Sequence, residues 1–179
     1  MEEHVVLIDE ENKVLGTAPK LATHSMNTPL HRGFSVFLFN EKGELLLQRR
    51  SAKKKTWPLT WSNSVCGHPS LNESVLDAAK RRLSFELGIK SSKLEIILPT
   101  YRYRFEKDGI VENEICPVMA GTTAAIPLPN PDEVQAIKWV VWSEWMKMIA
   151  ESPTSYSPWA IQESHLLGKV ATFKQYISK

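Results

Sequence analysis

The run "GHPSLNESVLDAAKRRLSFELGI", residues 67–89, carries the clearest helix pattern in the chain. Apolar residues recur there at i, i+4 spacing and so share one helix face: Val75, Ala79, Leu83 and Leu87. An Asn or a Ser before them can cap the first turn, and Gly88 is suited to end the last one. The pattern predicts a helix over residues 72–87.

Short apolar runs separated by turn residues predict strands around this helix. The predicted strands are "HVVLID" (4–9), "GFSVFLFN" (33–40), "LLLQRR" (45–50), "KLEIILP" (93–99) and "AIKWVVW" (136–142), with a long hairpin whose arms are 101–105 and 110–120. Residues 41–44 form the turn of a second hairpin, and residues 21–32 have the character of an ordered loop. Two further helices are expected over 143–152 and 160–177. This order predicts an α/β (α+β) fold with a mixed β-sheet sandwiched between helices.

Composition is that of an ordinary globular protein, since 42% of the 179 residues are hydrophobic and 23% are charged. We expect a single domain over residues 1–179. The net charge of +2 gives no reason to expect nucleic acid or a membrane as a partner. The start of the chain lacks the pattern of a signal peptide, so Cys66 and Cys116 are interpreted as free thiols and the location as cytoplasmic.

Five residues have the chemistry of a metal site. His24, His31 and His68 fall in non-periodic segments, and Glu112 and Glu114 project from one face of a predicted strand. Neighbouring carboxylates repel each other unless a cation or a proton lies between them. Imidazole together with carboxylate favours an ion such as Mn, Fe, Co or Zn. Spacing leaves open whether the five meet, because each histidine could equally be a structural residue.

Cys66 stands two residues before His68 in "TWSNSVCGHPS", residues 60–70. From these residues alone, the cysteine could be a metal ligand, a nucleophile, a redox thiol or a small buried side chain. A nearby histidine or bound cation would lower the pKa of its thiol.

The run that opens this section resembles the Nudix box, with matching residues at Gly67, Glu73, Arg81, Leu83, Glu86, Gly88 and Ile89. Arg82 and Phe85 occupy the places of two template glutamates, which in the hydrolytic version help to hold divalent ions. Glu86 with Arg82 could hold one Mg and one phosphate oxygen. The alternative for this pair is a surface i, i+4 salt bridge.

Four further segments resemble the type I isopentenyl diphosphate isomerases of the bacterial branch, in the same order and over essentially the whole chain: "LHRGFSVFLFN", "KKKTWPLTWSNSVCGHP", "RYRFEKDGIVENEICPV" and "YSPW". The resemblance implies an enzyme of isoprenoid precursor biosynthesis that interconverts isopentenyl and dimethylallyl diphosphate. The 1,3-allylic shift would pass through a tertiary carbocation. The rival interpretations are a Nudix-type pyrophosphohydrolase and a non-catalytic metal-binding module.

The same resemblance assigns roles to particular residues. Cys66 and Glu114 would act on opposite faces of the substrate, with Tyr103 and Trp159 at its hydrocarbon end. It implies one Mn or Zn ion on His24, His31, His68, Glu112 and Glu114, one Mg on Glu86 with the substrate, and a diphosphate held by Lys20, Arg50, Lys54 and Arg82. No flavin is expected, the substrate is a small prenyl diphosphate, and the chain would be a monomer. Which of the lysines at 53–55 touches the diphosphate, and which of Cys66 and Glu114 gives the proton, stay open.

Overall fold

The computed structural model describes residues 3–178 and places their strands in two sheets. The strands are β1 (His4–Ile8), β2 (Val14–Pro19), β3 (His31–Arg32), β4 (Phe34–Phe39), β5 (Glu44–Arg50), β6 (Trp61–Ser62), β7 (Val65–Gly67), β8 (Lys93–Leu98), β9 (Arg102–Lys107), β10 (Ile110–Ile115), β11 (Val118–Thr122) and β12 (Val134–Val141). The helices are α1 (Lys20–Thr23), α2 (Val75–Leu87), α3 (Trp142–Glu151), α4 (Pro158–Leu167) and α5 (Lys174–Ile177). The smaller sheet has the order β2-β1-β3-β10-β9, and the larger has β12-β5-β4-β11-β8, with β6 on β5 and β7 on β4.

The larger sheet is the middle layer of a helix–sheet–helix sandwich. Along β4, Phe34, Val36 and Leu38 belong to the cluster that packs against α2. The alternate residues Phe37 and Phe39 belong to the cluster that contains residues of α3, α4 and the C-terminal segment. A strand buried on both faces needs apolar side chains at successive positions, and "FSVFLF" supplies them. The predicted fold class is confirmed.

The central helix α2 begins later than predicted. Ser74 is the N-cap, and its hydroxyl accepts a hydrogen bond from the Asp77 N–H at 3.1 Å. Asn72 has a left-handed backbone conformation, with φ of 65°, which a right-handed α-helix does not allow. Gly88 ends the helix in the left-handed conformation, with φ of 66°, as its position predicts.

The predicted long hairpin is wrong in its second arm. Residues 110–120 form two strands, because the chain leaves the smaller sheet after β10 and joins the larger one as β11. Pro117 stands at the break, where its missing N–H interrupts the ladder. β3 and β4 make the same crossing at Gly33, since β3 lies parallel to β10 and β4 parallel to β11. This double crossing sets His31 directly beside Glu114 in the register.

Other differences follow from short or weak patterns. The predicted helix 160–177 ends at Leu167 with Gly168 as its C-cap, and a 3₁₀ turn (Ala171–Phe173) precedes α5. The predicted loop 21–32 contains α1 and β3, and β2 was not predicted. In the hairpin of β4 and β5, the two strands pair with each other only at Phe39 and Leu45. Further along the hairpin, β7 pairs with β4 and β6 pairs with β5. Among residues 3–178, no helix has the length and apolar character to span a bilayer.

Candidate active site

The five residues predicted to bind metal meet in one place, which we call the ligand cluster: His24, His31, His68, Glu112 and Glu114. Their potential ligand atoms all lie within 4.8 Å of one another. They come from four separate segments, since His24 ends α1, His31 lies in β3, His68 follows β7, and the two glutamates lie in β10. The first three segments therefore surround the face of β10 from which both carboxylates project.

Backbone contacts orient two of the imidazoles. Nδ1 of His24 lies 2.7 Å from the Lys20 carbonyl, and Nδ1 of His31 lies 2.9 Å from the Pro29 carbonyl. A carbonyl can only accept, so each Nδ1 carries a proton and each Nε2 faces the cluster, where its lone pair is the one available to a metal ion. Within residues 3–178, Nε2 of His31 and Oε2 of Glu112 have no hydrogen-bond partner. Buried acceptors that converge in this way fit a divalent cation.

The charge states of His68 and Glu114 suit a metal. Burial lowers the pKa of His68 to about 4 although Glu114 opposes this, so the imidazole is neutral. Burial would raise the pKa of Glu114, but His68 and His31 hold it well below its usual range. Neutral imidazole and ionised carboxylate are the forms that bind metal. His24 differs, because burial would lower its pKa but Glu112, 3.0 Å from its Nε2, outweighs burial and raises that pKa, so a bound metal would take the place of a proton there.

Cys66 lies outside the ligand cluster. It sits opposite Ser35 in the pairing of β7 with β4. Its Sγ donates to Asn63 Oδ1 at 3.2 Å and lies 3.3 Å from Ser35 Oγ. The expected lowering of the pKa of this thiol is wrong for the protein's own groups, because burial raises it to about 12. Cys66 is therefore a protonated, partly buried thiol.

A cavity of about 350 Å³ is lined by Cys66 and by four members of the ligand cluster: His24, His68, Glu112 and Glu114. Cys66 reaches it from the larger sheet and Glu114 from the smaller one. Tyr103, the cross-strand neighbour of Glu114, also lines the cavity, and its ring stacks on Trp159 with centroids 5.9 Å apart. Burial raises the pKa of Tyr103 well above its usual value, so it is a neutral phenol. This part of the cavity is consequently aromatic and shielded from water.

Three of the four predicted diphosphate ligands line the same cavity: Lys20, Arg50 and Lys54. The lysines at 53–55 differ in their exposure and in their hydrogen-bond or ion-pair partners. Lys53 is exposed and pairs with Asp132, whereas Lys55 donates to the carbonyls of Leu21 and His24. Lys54 is mostly buried and pairs with Glu133. All three lysines line the cavity, and Lys54 differs from Lys53 in being mostly buried there.

Arg82, the fourth predicted diphosphate ligand, and Glu86 lie behind this wall and do not line the cavity. Their salt bridge of 2.5 Å is buried and not on the surface, since Arg82 is 4% and Glu86 is 2% exposed. Arg82 also binds Glu133 at 2.9 Å, and Glu86 lies 4.0 Å from Lys54, so the pair connects to the cavity through these two residues. Phe85 replaces a glutamate of the Nudix box. The Arg82 guanidinium carbon lies over its ring, 4.9 Å from the ring centroid.

Known proteins resemble this chain in both sequence and fold. The NUDIX domain profile matches residues 29–160. An isopentenyl-diphosphate Delta-isomerase of Salmonella arizonae is 46% identical over 164 residues, which cover 91% of this chain and 90% of the relative. One of Salmonella paratyphi B is 45% identical, with 91% of each chain covered. The chain belongs to the isopentenyl-diphosphate Delta-isomerase family, within the NUDIX fold.

Solved structures support the fold assignment of this NUDIX isomerase family member. A Deinococcus radiodurans protein aligns with a TM-score of 0.72 at 20% identity, covering 91% of this chain and 98% of its own. A MutT protein of Methanosarcina mazei aligns with a TM-score of 0.61 at 22% identity, covering 83% of this chain and 93% of its own. At these identities the likeness concerns the fold alone.

Sequence reasoning missed several residues that shape this isomerase-family site. A Cβ on Gly33 would lie 1.7 Å from Oε2 of Glu114, so only glycine leaves that carboxylate its place. Ser35 and Asn63 hold the thiol, and Glu133 bridges Lys54 and Arg82. The quoted segments "LHRGFSVFLFN" and "TWSNSVCGHPS" contain the first three of these, but no spacing rule marks them as neighbours of Glu114 and Cys66.

Proposed function

We propose that this chain interconverts isopentenyl diphosphate and dimethylallyl diphosphate. The observation that carries the proposal is the placement of a protonated thiol, Cys66, and an ionised carboxylate, Glu114, on two walls of one cavity. An allylic shift adds a proton to one carbon and removes a proton from the carbon two positions away. One acid and one base facing the same substrate meet that requirement, and the atoms of substrate and product balance.

The hydrocarbon end of the substrate would lie between Cys66 and Glu114, against Tyr103 and Trp159. Protonation of the double bond gives a tertiary cation that water would trap, so the reacting carbons need a dry, electron-rich surrounding. The stacked rings supply both, because an indole face attracts a cation by about 2 kcal/mol when desolvated. Trp159 already has the Arg50 guanidinium 5.6 Å from its ring centroid. Tyr103, next to Glu114 in the register, can pass a proton between that carboxylate and the substrate.

The ligand cluster can hold a metal ion, and we propose Mn or Zn because three of its members are imidazoles. A divalent ion there would fix Glu114 and tune its acidity. Glu86 would have to leave its salt bridge with Arg82 to hold, with the substrate's diphosphate, one Mg that neutralises phosphate charge. The chain's own side chains would position the substrate and transfer the protons.

The diphosphate does not react and serves to position the hydrocarbon end. Lys20, Arg50 and Lys54 on the cavity wall are the proposed ligands, and Arg82 behind them would join by exchanging Glu133 for the diphosphate. We propose that the chain acts as a single-domain monomer. Its two free thiols, Cys66 and Cys116, fit the reducing conditions of the cytoplasm.

The test is proton NMR of isopentenyl diphosphate incubated in heavy water with the protein, Mn or Zn, and Mg. Dimethylallyl diphosphate should form, with deuterium entering the exchanging carbons and no phosphate released. Phosphate release without double-bond migration would overturn the proposal and favour a pyrophosphohydrolase. A protein that binds metal but changes neither substrate nor label would favour a metal-binding module.

A further inference from the structure

Glu163 is a buried acid that the mechanism above does not use. It lies on α4, its side chain is 0% exposed, and neither carboxyl oxygen has a hydrogen-bond partner among residues 3–178. Glu163 is one helical turn after Trp159 on the inward face of α4, and Trp159 lines the cavity. The acid therefore lies beneath the cavity and not on the outer surface.

No cation among residues 3–178 lowers the pKa of Glu163 appreciably. Glu114 is the one charged group of the described chain that acts on it appreciably, and burial raises the pKa of Glu163 well above its usual value. An ionised Glu163 would raise the pKa of both Cys66 and Tyr101, which places the carboxyl group near both side chains. The Ser35 hydroxyl is close enough to lower the pKa of Glu163, but burial outweighs this effect, and the pair lacks hydrogen-bond geometry in this structure.

The direction of the hydrogen bonds around Cys66 can be worked out from Asn63. The amide nitrogen of Asn63 donates to the Val36 and Val65 carbonyls at 3.1 and 3.2 Å, so its Oδ1 is the atom that faces Cys66 and must accept. Cys66 then uses its one proton on Asn63. The contact of 3.3 Å between Ser35 Oγ and Cys66 Sγ consequently needs the Ser35 proton.

With its proton committed to Cys66, the Ser35 hydroxyl can only accept from other groups. Cys116 Sγ approaches it as a donor at 3.6 Å, and a second lone pair remains. A neutral carboxylic acid at Glu163 can donate to that lone pair. An ionised carboxylate would instead attract the Ser35 proton and turn it away from Cys66.

We propose that Glu163 is a positioning residue for Cys66: a neutral carboxylic acid that donates to Ser35 and so directs the chain of hydrogen bonds from Glu163 through Ser35 and Cys66 to Asn63. This inference rests on the proposed function, since it concerns the orientation of the thiol that transfers a proton to or from the substrate. It assigns Glu163 no contact with the substrate.

The test compares Glu163→Leu and Glu163→Gln, with His165→Leu on the exposed face of the same helix as the control. In Glu163→Leu, kcat should fall about tenfold, the scale of one lost hydrogen bond, with KM and metal content unchanged. Its Tm should stay at or above that of the wild type, because a buried polar group is removed. Glutamine is neutral and can donate, so Glu163→Gln should recover most of the lost kcat.

Wild-type kcat in Glu163→Leu, or equal damage in both variants, would overturn the inference. A second readout does not depend on turnover. The infrared spectrum of the wild-type protein at neutral pH should contain the carbonyl band of a protonated carboxylic acid that disappears in Glu163→Gln. Absence of this band would overturn the inference even if isomerisation is observed, whereas a wild-type protein without isomerisation would overturn the proposed function.

Discussion

Two clusters of charged and polar side chains lie near the cavity, and they satisfy their charges in different ways. In the ligand cluster, acceptor atoms converge and some of them have no partner in the described chain. In the second, which we call the ion-pair cluster, three cations (Lys20, Lys54 and Arg82) contact three carboxylates (Glu3, Glu86 and Glu133). The first cluster is incomplete without an added cation. The second is neutral by itself and must exchange partners when a diphosphate arrives.

Glu114→Gln should lower turnover more than the other variants that test these two clusters, because it removes both a metal ligand and the proposed base. Turnover should fall by about 1,000-fold or more, and metal content should fall with it. Steady-state kinetics and elemental analysis of the same sample check this result. Glu106→Gln, an exposed acid on β9, is the control and should behave like the wild type. Retention of full activity in Glu114→Gln would contradict the assigned role.

Gly33→Ala should disturb the ligand cluster without unfolding the protein. The new Cβ would displace the flexible carboxylate of Glu114 and not the backbone. We expect activity to fall about 10- to 100-fold, as for residues that orient metal ligands, with little change in Tm. Gly168→Ala is the matched control, because its Cβ would meet nothing closer than 3.5 Å. Equal activity in the two variants would show that the close approach at Gly33 is unimportant.

Glu133→Gln should strengthen the binding of diphosphate to the ion-pair cluster. It removes a carboxylate that neutralises Lys54 and Arg82 within the protein. Inorganic diphosphate should bind about threefold to tenfold more tightly, with a stronger dependence on salt. Isothermal titration calorimetry at two salt concentrations measures both changes. Glu151→Gln, which removes an exposed carboxylate paired with Lys147 outside the cavity lining, is the control. Weaker binding in Glu133→Gln would mean that this carboxylate helps to hold the ligand.

Glu3→Gln should have the smallest effect and should depend on pH. Burial would raise the pKa of Glu3, but Lys20 and Arg82 lower it to about 2. A carboxylate whose pKa is lowered in the folded state adds stability that is present above its ordinary pKa and is lost as the pH falls toward 2. Because Glu3 is half exposed, the difference from the wild type should be below about 1 kcal/mol at neutral pH. Urea unfolding at pH 7 and pH 3 checks this, and an undiminished difference at pH 3 would contradict it.

Sequence was most informative where a periodic pattern or a matched motif exists. The i, i+4 spacing around Leu83 located α2 and its end at Gly88, and the resemblance identified the ligand cluster before its geometry was known. Contacts between residues distant in the chain could not be predicted from the sequence. Nothing local in "ENEICPV" reveals that the chain changes sheets at Pro117, and Gly33 and Glu163 matter only through neighbours distant in the chain. Burial also reversed the expected pKa change at Cys66, since desolvation outweighs the local effect of neighbouring groups.

The central claim is that the metal and the thiol occupy separate walls of one cavity and have separate tasks. Cys66→Ala tests it most directly when metal content and turnover are measured on one preparation supplied with Mn or Zn and Mg. We predict wild-type metal content, because Cys66 lies outside the ligand cluster, together with loss of the interconversion of the two five-carbon diphosphates. Loss of the metal from this variant, or turnover at the wild-type rate, would contradict the account.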